Sequence, residues 1–208
     1  MTLRSRLLSL FPTLMLLLVL SSLYWILVAP GILSILTLLF CLYAFPVLVY
    51  RIHQYFYPIK EGISDLTGEE YNPWWGTQQI QLIYNTFPYL ERILHLVPGL
   101  FSFWLRLWGS KIGKNVYWVP NVLMLDRGLI EVGDGAILGL NATTCAHIIK
   151  PKKDRLIVLV QKIKIGNNAF ISGDVRIGPG THIEDGAFVS YGEWIHPRVR
   201  FEADRGGV

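Results

Sequence analysis

His147 is the side chain with the clearest chemical opportunity in this sequence. It follows Leu138-Gly139-Leu140-Asn141-Ala142-Thr143-Thr144 and opens the longest interruption of a six-residue repeat, a place where a regular solenoid can shape a pocket. An imidazole titrates near 6.5, and an alcohol is a poor nucleophile unless such a base takes its proton as the new bond forms. Asn141 is either an amide that positions a hydroxyl or the base, or a polar corner residue whose amide is already satisfied. Asp126, followed by Arg127, either orients His147 from a neighbouring chain or opens a turn before Gly128. Lys150, Lys152, Lys153 and Arg155 form the densest charge cluster in the chain, suited to phosphate or anionic lipid if it is not a solvated loop.

The other histidines compete less well. His53 flanks an apolar segment, His95 lies between Leu94 and Val97, His182 takes an outward repeat position, and His196 follows the last ladder residue. A trio of His147, His182 and His196 would suggest zinc, but no metal is expected. Cys41 falls in an apolar helix far from Cys145, so two unpaired thiols and a reducing compartment are expected.

The elements that must position these residues are set by the repeat. Ile165, Ile171, Ile177, Ile183, Val189 and Ile195 stand six apart, and Ala169, Val175, Thr181 and Ala187 fall four places after ladder residues. Six is the period of neither a strand nor a helix. It fits a coil that turns a corner every six residues, three faces making a prism of about eighteen residues per turn. Upstream, Ile112-Gly113, Trp118, Val132-Gly133 and Leu138-Gly139 carry the same pattern. The frame slips by two around Leu125–Leu129, read as a bulge, and breaks again from about His147 to Ile163, read as a loop on one face.

The stretches IGKNVYWVPN, VGDGAILGLNATTCAH and IGNNAFISGDVRIGPGTHIEDGAFV resemble the hexapeptide-repeat acyltransferases, over roughly residues 110 to 200. The resemblance implies a left-handed parallel β-helix, here of about five turns, and a homotrimer with sites between neighbouring prisms. It implies acyl-coenzyme A, usually acetyl-coenzyme A, as co-substrate and a histidine at the place of His147 as general base. Gly173, Ser190, Tyr191 and Gly192 are then wall residues for the pantetheine arm, and Lys152 and Lys153 partners for coenzyme phosphates. No Gly-rich phosphate loop supports nucleotide binding independently.

Leu7 to Tyr50 contains no charged residue and is interrupted by Ala29-Pro30-Gly31. Each half is about the 20 residues that a spanning helix needs. Arg4 and Arg6 before it and Arg51 and Lys60 after it place both ends in the cytoplasm by the positive-inside rule. A cleaved signal peptide is the alternative; the apolar stretch exceeds an h-region and a second follows at once. Residues 61 to 76 read as a polar linker. Gln78 to Leu107 reads helical with a break at Pro98-Gly99, lying in the membrane surface, capping the first coil, or both.

The fold class is therefore a β solenoid preceded by an α-helical membrane anchor: a hairpin over 1–55, linker and amphipathic helices over 56–109, the β-helix over 110–200 and a tail over 201–208. The net charge of +4 resides in the basic residues before position 61, and later charges balance, so no nucleic-acid partner is expected. The residues point to an integral membrane protein with its β-helix in the cytoplasm. The resemblance implies an O-acyltransferase, and the apolar hairpin suits a lipid-linked sugar or lipophilic acceptor. A non-catalytic membrane scaffold and an N-acyltransferase acting on an amine remain open at this point.

Overall fold

A computed structural model describes residues 2–202. The chain divides into two compact units, residues 1–60 with 66–83, and residues 61–65 with 84–208.

The first unit is built on α1 (Leu3–Leu8), α2 (Phe11–Val28), α3 (Ile32–Leu39), a π-helical turn at Phe40–Ala44 and α4 (Phe45–Phe56). Two continuous helical stretches result, Leu3–Val28 and Ile32–Phe56, each long and apolar enough to cross a membrane. Their chain reversal is tied by Ser34, whose hydroxyl donates to Gly31 O at 2.8 Å. Leu14, Leu17, Leu27, Leu33 and Leu36 are exposed rather than packed into a core of this unit.

The region expected to be a linker and a helical stretch broken once, at Pro98-Gly99, is more divided. It contains β1 (Gly62–Asp65), α5 (Pro73–Thr86), α6 (Tyr89–Arg92), a 3-10 turn at Ile93–Leu96 and α7 (Leu100–Leu107). Pro88 and Pro98 each lack the amide a continuous helix needs, so the helix breaks twice rather than once. α7 takes the capping role. Phe101, Trp104 and Leu105 are buried, Phe101 meets Trp118 edge-on at 5.2 Å, and Trp118 Nε1 donates to Ser102 Oγ at 2.8 Å. The guanidinium of Arg106 donates to Ile112 O and Gly113 O at 2.9 and 2.6 Å, tying α7 to the backbone of the first coil.

The β-helix then runs coil by coil. β2 (Lys111–Ile112), β3 (Tyr117–Trp118) and β4 (Leu123–Met124) form the first coil, and β5 (Ile130–Val132), β6 (Ile137–Leu138) and β7 (Thr143–Thr144) the second. A hairpin of β8 (His147–Lys152) and β9 (Arg155–Val160) leaves the prism. β10 (Ile163–Ile165), β11 (Phe170–Ile171) and β12 (Arg176–Ile177) complete the third coil. β13 (His182–Ile183), β14 (Phe188–Val189) and β15 (Trp194–Ile195) form the fourth, and β16 (Arg200–Phe201) opens a fifth. The strands fall into three parallel sheets, one per face: β2-β5-β10-β13-β16, β3-β6-β11-β14 and β4-β7-β12-β15. This is the expected solenoid class, with four complete coils and one further strand in place of five turns.

The ladder residues point inward as the six-residue period requires. Ile171, Ile183 and Val189 are fully buried, and Ala169, Val175, Thr181 and Ala187 fill the corners with no exposed surface. Small residues at the corners are needed because coils approach closely there: a Cβ on Gly166 would sit 2.4 Å from the Asp185 amide nitrogen. The expected loop after His147 is instead ordered sheet. β8 and β9 pair antiparallel from His147↔Val160 to Lys152↔Arg155, and β1 adds to β9. The apolar run Leu156–Val160 gives the hairpin a half-buried face, Val158 and Val160 pointing to the buried side. Positions 203–208 of the expected tail lie outside the described residues.

Ile177 is 1 % exposed. Ile177→Asp would bury a carboxylate with no partner, at a cost of several kcal/mol, and should abolish accumulation of folded protein. The neighbouring exposed position should tolerate Arg176→Asp. Thermal melts of the two variants check the frame: a stable Ile177→Asp protein is incompatible with it.

Candidate active site

Both breaks in the repeat fall at one corner of the prism. The bulge at 125–129 follows β4, the hairpin follows β7, and β4 and β7 are neighbours in register, with Leu123↔Thr143 and Met124↔Thr144. Leu125 N donates to Thr144 O at 3.1 Å. Beyond that point a side chain replaces the backbone ladder. Asp126 Oδ2 accepts from Ala146 N at 2.8 Å and from His147 Nδ1 at 2.7 Å. Leu129 N donates to Asp126 O at 3.0 Å and closes the turn. Asp126 therefore both opens a turn and binds His147, and it does so within one chain. A neighbouring subunit is not needed for that contact, because the one-coil offset stacks the two interruptions.

Asp126 is buried, and the His147 side chain keeps 18 % of its surface exposed. Val160, fully buried, stands opposite His147 across the hairpin. Cys145 Sγ donates to His147 O at 3.1 Å and lies 3.6 Å from Nδ1. The carboxylate holds the proton on Nδ1, which makes Nε2 the nitrogen that accepts one. Burial disfavours a charged ring, but the hydrogen bonds to Asp126 and Cys145 and the charge of Asp126 outweigh it, raising the His147 pKa to about 10. This is a stronger base than the ordinary imidazole the sequence implies. Asp126, Cys145 and His147 also bring oxygen, sulfur and nitrogen within 4.8 Å of one another. Asp126 Oδ2 and His147 Nδ1 face each other at proton-sharing distance. Neither His182 nor His196 joins this group: His182 lies on β13 and His196 stacks on Trp194.

The bulge is held from its other side by residues that sequence reasoning did not single out. Arg127 has no exposed surface. Its Nε and Nη2 donate to the two carboxylate oxygens of Glu91, each at 2.6 Å, and Nη1 donates to Asn85 Oδ1 at 2.8 Å. Trp104 Nε1 adds a bond to Glu91 Oε1 at 2.7 Å. The only available signal was a charged residue at the frame slip; nothing in the sequence pairs it with Glu91.

The remaining expected site residues lie elsewhere. Asn141 precedes β7 and His147 follows it, so the two occupy opposite edges of one face. Asn141 takes φ 58° at its corner, and its Nδ2 donates to Asp174 Oδ1 at 2.9 Å, not to His147. Tyr191 donates to the other oxygen of Asp174. These bonds, from Tyr191 first and then Asn141, hold the Asp174 carboxyl below its usual range. Gly173 faces the Tyr191 ring, and Gly192 N donates to Gly173 O at 2.9 Å. Gly173, Ser190, Tyr191 and Gly192 thus gather with Asn141 at a single corner, whose hydroxyl-lined exposed surface includes the Tyr191 ring. Lys152 and Lys153 stand exposed at the hairpin tip, Lys153 with φ 51°. Cys41 and Cys145 are both free thiols.

No protein-family model matches the chain. Two sequence relatives carry acetyltransferase names. YvoF of Bacillus subtilis is 27 % identical over 64 % of this chain and 82 % of its own length. WcaF of Escherichia coli, named for colanic acid biosynthesis, is 28 % identical over 56 % of this chain and 70 % of its own. The chain is similar to acetyltransferases. Among solved structures, a hexapeptide-repeat acetyltransferase of Vibrio cholerae in complex with acetyl-coenzyme A aligns with a TM-score of 0.40 at 17 % identity, covering 64 % of this chain and 87 % of that one. A maltose O-acetyltransferase of Clostridium difficile aligns with a TM-score of 0.32 at 18 % identity, covering 54 % and 77 %.

The Asp126 contact stabilises the imidazolium, so its contribution to stability has a definite pH window. It is present in full below the unfolded-state value of about 6.5 and is lost as the pH rises through the folded-state value, about 10. Asp126→Asn should return His147 toward 6.5 in an NMR titration. The melting-temperature gap between wild type and variant should be wide near neutrality and close with rising pH.

Proposed function

We propose that the chain transfers an acetyl group from acetyl-coenzyme A to a hydroxyl, with His147 as general base and Asp126 as the group that orients it. The observation that carries this reading is the 2.7 Å contact of Asp126 Oδ2 with His147 Nδ1 at the one corner where both repeat interruptions stack. The acyl group follows the names of the sequence relatives, and the coenzyme donor follows the repeat's resemblance. The chemistry is that of an acyltransferase: Nε2 takes the acceptor's proton as its oxygen attacks the thioester carbonyl, and coenzyme A leaves as the thiol.

The acceptor is a sugar hydroxyl on a lipid carrier. The relative named for colanic acid biosynthesis favours a saccharide, and the two apolar helices favour an acceptor held at a membrane. The β-helix faces the cytoplasm, and the assembly is a homotrimer with the coenzyme between prisms. The corner of Asn141, Gly173, Ser190, Tyr191 and Gly192 serves as coenzyme wall, and Lys152 and Lys153 at the hairpin tip meet its phosphates.

His147→Ala should keep the fold and affinity for acetyl-coenzyme A but lower kcat by about 10²–10⁴-fold. Because the imidazolium is favoured in the resting site, wild-type kcat/KM should climb through the alkaline range rather than level off just above pH 6.5. Acetyl transfer to lipid-linked saccharides by the two proteins, measured across pH, is the assay; equal rates remove His147 from the mechanism. A cysteine placed near position 205 should be shielded from an impermeant thiol reagent in intact cells. Labelling from outside would reverse the orientation.

A further inference from the structure

We propose that the buried Glu91–Arg127 ion pair is a positioning device for the base, gripping the corner bulge from the helical layer so that Asp126 meets His147 on the other side; this rests on His147 acting as proposed above. Asp126 and Arg127 are consecutive and serve opposite sides. Asp126 takes the Ala146 amide and the His147 ring, while Arg127 is filled by Glu91 and Asn85. The backbone around them is held as well. Asn85 Nδ2 donates to Leu125 O at 3.4 Å, and Ser110 Oγ donates to Arg127 O. Leu125 and Arg127, the two neighbours of Asp126, are thus held by side chains from the segment before the β-helix.

The bulge itself needs no such grip. It adds two residues to the first coil, and the ladder on either side is complete, with Leu123 N bonded to Ala142 O at 2.9 Å and Ile163 N to Leu129 O at 3.0 Å. A buried ion pair adds little stability over an apolar filling of the same volume. What a two-pronged guanidinium–carboxylate pair does supply is a fixed direction. An imidazole and its orienting carboxylate need placement to within about 0.5 Å, and a five-residue bulge would not give that alone. Asp126 and Cys145 are titratable groups in direct contact with His147, and Val160 stands across the hairpin. A change at Glu91 or Arg127 therefore reaches the ring through the placement of Asp126.

The test uses the full chain in detergent micelles with isotope-labelled histidine, the His147 signal being identified by its loss in His147→Gln. The double variant Glu91→Gln/Arg127→Met removes both buried charges together, and so leaves neither uncompensated. It should lower the proton affinity of His147 tenfold or more, one pKa unit, in the same direction as Asp126→Asn. The pH limb of kcat/KM should move with it while KM for acetyl-coenzyme A stays fixed. A folded double variant whose His147 titrates as in wild type overturns the proposal. Should the double variant not fold, Asn85→Ala decides: it removes the ties to Arg127 and Leu125 but keeps the ion pair, and should shift the titration less but in the same direction. No shift in that variant also overturns the proposal. If His147→Ala retains full transfer while Glu91→Gln/Arg127→Met still shifts the titration, the positioning role stands and the catalytic reading falls.

Discussion

Every coil of this β-helix must return to the same three faces, because each strand hydrogen-bonds to the strand one coil before and one coil after. The Lys164↔His182 and Ile165↔Ile183 pairs show the unperturbed return of eighteen residues. Extra residues cannot be absorbed within a strand, since a shift in register would turn inward side chains outward. They are expelled at a corner. The first coil expels two and the second expels a whole hairpin, so that Glu131 pairs with Lys164 across the insertion. Both expulsions fall after the same face, and a corner crowded by two interruptions is the one place where a side chain can enter the ladder. Asp126 does so, taking the Ala146 amide that a backbone carbonyl would otherwise receive.

The electrostatics follow from that crowding. Two carboxylates, a guanidinium and an imidazole are taken partly or wholly out of water around one corner of the prism, which is costly unless each is paired. The pairing is complete on both sides of the bulge: Glu91 with Arg127, Asp126 with His147. The helical segment that supplies Glu91 also supplies the aromatic cap. Trp104 serves both purposes, packing edge-on against Tyr84 at 5.3 Å while its indole N–H bonds Glu91. Closure of the end of the solenoid and support of the candidate base are thus carried by the same side chains.

The first unit is built on a different pattern. Its helices carry apolar side chains all round, and the polar groups within them turn inward to their own backbone, as Ser22 Oγ does to Leu18 O at 2.8 Å. That pattern, with basic residues at the outer flanks, is the observation on which the proposed membrane-held acceptor rests.

The sequence by itself determined the period, and with it the fold: Ile165 to Ile195 at six-residue steps admit a three-faced coil and no helix or plain strand. It also marked His147 through its place beside the longest interruption, and marked the apolar hairpin by length and lack of charge. The strand β9 was legible in the continuous apolar run Leu156–Val160, rich in β-branched residues, and the second helix break was written in Pro88. Frame counting carried one step further would have stacked Asp126 under His147, since both interruptions follow the same face. What only the tertiary structure decided was partnership. Asn141 turned out to serve a corner with Asp174 and Tyr191, Arg127 found Glu91 across 36 residues of chain, and Asp126 raised the basicity of the one histidine it touches. A repeat fixes which residues share a face, because hydrogen-bond register is periodic. It does not fix which charged side chains meet at a break in the repeat, because there the geometry is set by packing against a segment that has no period at all.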